Sequence, residues 1–196
     1  MIVHADAAPP VVVRPVVPGD LDALDALDAL DALMSSLDDQ SRYRRWFTGA
    51  ADVHRAAAWA AHPERQDAVG LVATTPDGRL VGHAALIPMD DARAEVCFEV
   101  AAPWRHHGIA GRLLTELDRR AARRGLTTLV AEVLLENADM LAVMREHGPC
   151  QEHRNGGVVE VALRVGGADQ TLSDLDQTHA DAGETALNTD RATTGS

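Results

Sequence analysis

Two carboxylates, Glu95 and Glu99, stand four residues apart in the short apolar run AEVCFEV (Ala94 to Val100), with Cys97 between them. In an extended chain the side chains alternate, so Glu95, Cys97 and Glu99 share one face while Val96, Phe98 and Val100 take the other. A carboxylate within a sheet covered on both faces needs a reason: a strand end reaching solvent, a salt bridge, or a proton to accept. Burial beside a like charge would raise its pKa towards the range of a general base. Directly downstream, the spacing Arg105-x-x-Gly108-x-Ala110 ends a turn and opens an amphipathic helix. Unpaired N–H groups at such a start, with little side-chain bulk over them, form an anion site. Arg105, His106, His107 and Arg112 add side-chain donors around it, although the two histidines fit plain solvent exposure equally well. The chemistry implied is a phosphorylated compound held beside a carboxylate. Further on, Asn137 opens a helix after an apolar strand, where it serves either as an N-cap or as a ligand contact.

The elements that position these residues can be read from the pattern. VVVRPVV (Val11 to Val17) reads as a strand, at an edge because of Pro15. Pro18-Gly19-Asp20 is a turn with Asp20 as N-cap. The repeat LDALDALDALDAL (Leu21 to Leu33) gives a slanted leucine stripe beside Asp22, Asp25, Asp28 and Asp31. That is either a solvated acidic face or a wall that recruits basic substrates. Helices are expected over Asp39 to Phe47 and Asp52 to Ala61, and a hairpin over Ala68 to Thr74 and Leu80 to Pro88. The strand AEVCFEV, the helix Gly108 to Arg124 and the strand Thr127 to Leu135 form a βαβ unit with parallel strands. Asn137 to His147 is a helix, and two short strands follow near Cys150 to Arg154 and Val158 to Val165. The order implies a mixed α/β sheet with helices on both faces. Residues 1–10 read as a flexible lead-in, 11–165 as one domain, and 166–196 as an acidic tail expected to be disordered.

Composition narrows the partners. The 196-residue chain is 46% hydrophobic but only 3% aromatic, so its core is built from Ala, Val and Leu. A net charge of −12 argues against nucleic acid or an anionic membrane as partner and suits a cationic substrate. No apolar run approaches a membrane span, residues 1–10 lack a signal-like apolar segment, and Cys97 and Cys150 show no CxxC spacing. A cytoplasmic protein with reduced thiols is expected. The histidines and cysteines show no metal-site spacing, and there is neither a GxSxG elbow nor a Walker loop. His83, inside a strand, reads as a satisfied core or interface residue.

Arg105-His106-His107-Gly108-Ile109-Ala110, set between a strand and a helix and followed by Asn137, resembles the acetyl-CoA motif of the GNAT family of N-acetyltransferases. SRYRRWF (Ser41 to Phe47), LVGHAAL (Leu80 to Leu86), AEVCFEV and VLLENADMLAVMREHG (Val133 to Gly148) are similar to segments of its bacterial Pat-like protein-lysine acetyltransferase branch. The resemblance covers about 11–165. It implies the GNAT fold: a mixed, mostly antiparallel central sheet with a parallel splayed strand pair and helices on both faces.

The resemblance also implies acetyl-CoA as co-substrate, no metal, and direct transfer of acetyl to a primary amine, foremost a protein lysine. Glu95 falls on the branch's general base, with Glu99 in reserve, and the Val100 backbone N–H points at the thioester carbonyl. Phe98 and Val100 would lie along the pantetheine arm. Arg105, His106, His107, Gly108, Ile109, Ala110, Gly111 and Arg112 would take the pyrophosphate, and Asn137 the pantetheine or its water. The usual Gln-Gly-Arg of the loop is replaced by Arg105-His106-His107, the usual Gly-Phe after the last helix by Gly148-Pro149, and a general-acid Tyr by Met144. The expected partner is a protein, an acyl-CoA synthetase among the candidates, and the expected assembly a monomer or homodimer. A small cationic amine such as a polyamine or aminoglycoside, and a non-catalytic acetyl-CoA sensor, are the alternatives.

Overall fold

A computed structural model describes residues 10–16, 23–48 and 51–166. The expected cap Asp20, the start of the leucine repeat, most of the lead-in and the tail from 167 lie outside the described residues. In chain order the elements are β1 (Val12–Pro15), α1 (Ala23–Ser35), α2 (Asp39–Trp46), α3 (Val53–Ala60), β2 (Val69–Thr74), β3 (Leu80–Pro88), β4 (Arg93–Val100), α4 (Ile109–Arg123), β5 (Thr128–Leu134), α5 (Ala138–His147), β6 (Cys150–Asn155) and β7 (Val158–Arg164). The boundaries fall within a few residues of those expected from pattern. Two 3-10 turns, Pro63–Gln66 and Ala102–Trp104, were not anticipated.

The strands form one seven-stranded sheet in the order β1-β2-β3-β4-β5-β7-β6. Only β4 and β5 run parallel; every other neighbouring pair is antiparallel. The α4 crossover between the parallel strands and the edge position of Pro15-bearing β1 are both as expected.

Each face of the sheet is covered by a different apolar cluster. On one, Ile109, Leu113, Leu114, Leu117 and Ala121 form the buried stripe of α4, packed with Ala94 and Val96 of β4 and Leu129 and Ala131 of β5. Leu141 and Met144 of α5 join the same cluster. The second cluster lies under α1 and α3, where Leu30 and Met34 meet Ala57, Ala60 and Val72. Leu30 and Leu33, the leucines of the repeat whose burial is described, are both buried, as a helix of that spacing should arrange. Asp28 faces solvent, and Asp31 pairs with His54 of α3 at 2.5 Å. Gly82 of β3 sets how closely the start of α4 approaches the sheet: a Cβ there would meet Ile109 Cγ2 at 3.2 Å.

Candidate active site

The parallel pairing of β4 with β5 is short. It joins Arg93, Ala94 and Glu95 to Thr128, Leu129 and Val130 and then stops. β4 continues to Val100 along β3, and β5 continues to Leu134 along β7, so the two strands part immediately beyond Glu95. The splay opens a cavity of about 640 Å³, walled by β4, the start of α4, β5, α5 and the C-terminal half of α2.

Backbone donors run along one wall. The Ala101 N–H donates to the Val81 carbonyl at 3.0 Å, and Val100 stands opposite Gly82. The antiparallel alternation therefore turns Glu95, Cys97 and Glu99 main-chain groups towards β3 and those of Phe98 and Val100 towards the splay. The Val100 carbonyl is occupied by Arg105 Nε at 3.3 Å, which leaves its N–H facing the cavity. At the loop, His106 (φ 61°) and Gly108 (φ 72°) are both left-handed. Arg112 N–H makes the first bond of α4, to the Gly108 carbonyl at 3.1 Å. The N–H groups of Gly108, Ile109, Ala110 and Gly111 donate to no described group, and no side chain caps the helix. Free donors at the positive end of a four-turn helix are what an anion site requires.

The two carboxylates differ sharply. Glu99 is buried; its Oε1 accepts from Arg45 Nε and its Oε2 lies 2.8 Å from His83 Nδ1. Burial alone would raise its pKa, but the Arg45 guanidinium and His83 outweigh that and hold it down at about 2. The rise expected of a buried carboxylate is thus reversed here, because the partner charges are in direct contact. Both lone-pair edges are occupied, so Glu99 has no free oxygen to offer. Glu95 is half-buried, lines the cavity at the point of divergence, and takes no hydrogen bond from any described residue. Cys97 between them is buried, and desolvation pushes its thiol up to about 12 against the pull of Arg45, whose Nη2 lies 2.9 Å from its Sγ.

Of the loop side chains, His106 lines the cavity with Gly108, Ile109, Ala110 and Gly111. Arg105 also reaches it, but donates to Ser41 Oγ at 2.5 Å and Asp38 Oδ2 at 3.4 Å, tying the loop to the start of α2. Arg112 turns away to the Val11 carbonyl and lines a separate hollow with Val13 and Thr115, and His107 is exposed outside the cavity wall. Asn137 is an N-cap, its Oδ1 accepting from Met140 N at 3.5 Å, and the residue also lines the cavity. Sequence reasoning missed Arg44, Arg45 and Trp46 of α2 as wall residues, and His83 as the brace of Glu99. Three arginines in one short helix were the available signal, but spacing within α2 says nothing of which strand it lies over. His83 is only half satisfied, since its buried Nε2 has no partner. Asp28 and Asp31, the aspartates of the repeat whose side chains are described, do not line the cavity. Among the described residues no group of His, Cys, Asp or Glu is arranged to hold a metal ion, and no helix is long and apolar enough to cross a membrane.

A mixed sheet with one splayed parallel pair, and an anion loop at the start of the crossover helix, defines a transferase class that binds a phosphorylated carrier along the splay. The chain belongs to the acetyltransferase (GNAT) family, whose model matches residues 31–148, more than half of its length. It is thus an N-acetyltransferase that uses acetyl-CoA, and the free amides of Gly108 to Gly111 fit the anionic end of that molecule. The structure is similar to the GNAT domain of S. lividans PAT, at 28% identity and a TM-score of 0.64, covering 78% of this chain and 89% of that one. It also shares the fold of spermidine N-acetyltransferase from Vibrio cholerae, solved with CoA and spermine (17% identity, TM-score 0.61, 81% and 97% covered). A third fold relative is ribosomal-protein-alanine N-acetyltransferase from Brucella melitensis (22%, 0.59, 78% and 99% covered). Among curated proteins, none matches the sequence.

Proposed function

We propose that the protein transfers acetyl from acetyl-CoA to the ε-amine of a protein lysine, by direct attack in a ternary complex with Glu95 as general base. The observation that carries this is the contrast of the carboxylates: Glu95 stands free where β4 and β5 part, whereas Glu99 is consumed by Arg45 and His83. A lysine of pKa about 10.4 is neutral on the order of one time in a thousand at pH 7, so a base is needed. Glu95, directly or through water, takes the proton as the amine nitrogen bonds to the carbonyl carbon. The Val100 N–H, turned into the splay, meets the developing oxyanion. The C–S bond then breaks, and the CoA thiolate is protonated by solvent, Met144 standing where some relatives place a Tyr. The raised thiol of Cys97 is protonated at neutral pH, which speaks against an acetyl-cysteine intermediate.

The lysine acceptor rests on the resemblance of Ser41 to Phe47, Leu80 to Leu86 and Val133 to Gly148 to the Pat-like branch. An acyl-CoA synthetase is the first protein acceptor to try, in a cytoplasmic setting, with the enzyme as monomer or homodimer. Acetyl-CoA turnover against a panel of amines and a cell lysate, with acetyl-lysine mapped by mass spectrometry, tests the reading. Specific acetyl-lysine sites support it. Turnover of polyamines or aminoglycosides alone would replace it with a small-molecule activity. Tight acetyl-CoA binding without any turnover would make the protein a sensor.

A further inference from the structure

The sequence of α2 sets Arg44 and Arg45 side by side in its last turn, and both line the cavity. Arg45 is fully accounted for by Glu99 and Cys97. Arg44 is not. It is half-buried, its Nε is sealed from solvent with no acceptor, and no described residue hydrogen-bonds or ion-pairs with its guanidinium. Arg42 also has a sealed Nε without an acceptor, but its Nη2 reaches the Ser35 carbonyl, and Arg105 reaches Ser41. A partly desolvated guanidinium with no counter-charge is unfavourable unless a ligand supplies one. Its planar fork of donors matches a carboxylate better than any other anion of comparable size except phosphate.

The position of Arg44 says which ligand. α2 covers the face of β4 that bears Glu95, Cys97 and Glu99, the face opposite the α4 core. An amine that gives its proton to Glu95 must therefore lie beneath α2, on the acceptor side of the splay. Glu132 of β5 and Asp139 and Glu146 of α5 also line the cavity, so among the described residues Arg44 is the one unpaired guanidinium within a lining otherwise rich in carboxylates. We propose that the acceptor carries a carboxylate close to its reacting amine and that Arg44 binds it, so that the acceptor is a lysine with an acidic neighbour rather than a polycation. A polyamine would bring a second ammonium towards an unpaired guanidinium, an electrostatic cost that a carboxylate beside the amine avoids. Phe47, the exposed C-cap of α2, lines the cavity and supplies apolar area of the kind a polypeptide covers.

The inference rests on the acetyl-transfer reading, and the test separates the two. End-blocked peptides with one lysine flanked by Glu, Gln or Arg are assayed for thiol release, alongside free amino acids and spermidine. Wild type, Arg44→Gln and Arg44→Glu are compared, with acetyl-CoA affinity and Tm measured for each. Wild type is expected to favour the Glu-flanked peptide over the Gln-flanked one by about tenfold or more in kcat/KM, chiefly through KM. Arg44→Gln should erase that preference at unchanged acetyl-CoA affinity, and Arg44→Glu should favour the Arg-flanked peptide. Turnover of amino acids with the same Arg44 dependence would assign the carboxylate to the acceptor's own α-carboxyl group. Preference for spermidine or the Arg-flanked peptide by wild type overturns the proposal, as does a Glu preference that survives Arg44→Gln. If Arg44→Glu does not fold, the neutral variant still decides. Failure of wild type to turn over any amine while binding acetyl-CoA overturns the transfer reading itself.

Discussion

At the scale of the residue, the informative comparison is between two glutamates four positions apart on one strand. By residue type and face alone they are alike, and only the family resemblance favours Glu95. What separates them is Arg45, which arrives from a helix more than fifty residues upstream, and His83, which stands opposite on β3. Glu95→Gln is expected to lower kcat by about 10²–10⁴-fold while calorimetry shows acetyl-CoA affinity unchanged. Near-normal turnover would remove Glu95 from the mechanism. Glu99 makes a separate prediction in acid. Its pKa falls from 4.5 in the unfolded chain to about 2 in the folded one, so its ionised form stabilises the fold above pH 4.5. That contribution is lost as the pH falls from about 4.5 towards 2, because the unfolded state binds the proton first. Glu99→Gln should therefore unfold at lower denaturant at pH 6 and show a flatter loss of stability across that acid window. A wild-type stability curve just as flat there would contradict the pairing.

At the scale of the element, α2 and the start of α4 carry the site between them. α2 buries none of its residues fully; Trp46 packs against the second apolar cluster, and polar ties do the rest: Arg45 to β4, and Arg105 of the loop to Ser41 and Asp38, at and beside its N-terminus. The start of α4 works the opposite way, by leaving its amides untied. Gly108 holds φ at 72°, and a side chain there meets no neighbour within 4 Å. Gly108→Ala is therefore expected to cost about 1 kcal/mol through backbone strain alone, with little steric clash. Gly108→Asp adds a carboxylate to the anion site and should weaken acetyl-CoA binding well beyond Gly108→Ala. Equal affinities for the two variants in calorimetry would show that the pyrophosphate does not sit at this loop.

At the scale of the whole molecule, two apolar clusters on opposite faces of one sheet share the work of holding the splay open. Leu114 of α4 lies wholly within the larger cluster and away from the cavity wall. Leu114→Ala is expected to cost about 2–5 kcal/mol and lower Tm by about 10 °C. KM for acetyl-CoA at a temperature well below that Tm should be unchanged. A selective rise in KM would mean that the core and the cleft are more tightly coupled than their separation suggests.

Much of this was legible without coordinates. Period-two runs located the strands, the leucine stripe located α1, and Arg105-x-x-Gly108-x-Ala110 after a strand located the anion loop, because these signals are local consequences of backbone geometry. Asn137 was legible as a cap for the same reason. The sequence by itself thus determined the elements, their order, the loop and the face of β4 on which its carboxylates lie. Only the tertiary structure decided which glutamate takes no hydrogen bond, that Arg112 turns to Val11, that Arg105 ties the loop to α2, and that Arg44 lines the cleft without a partner among the described residues. Those are contacts between segments far apart in the chain. Their energies depend on which helix covers which strand, and no spacing within a single segment encodes that.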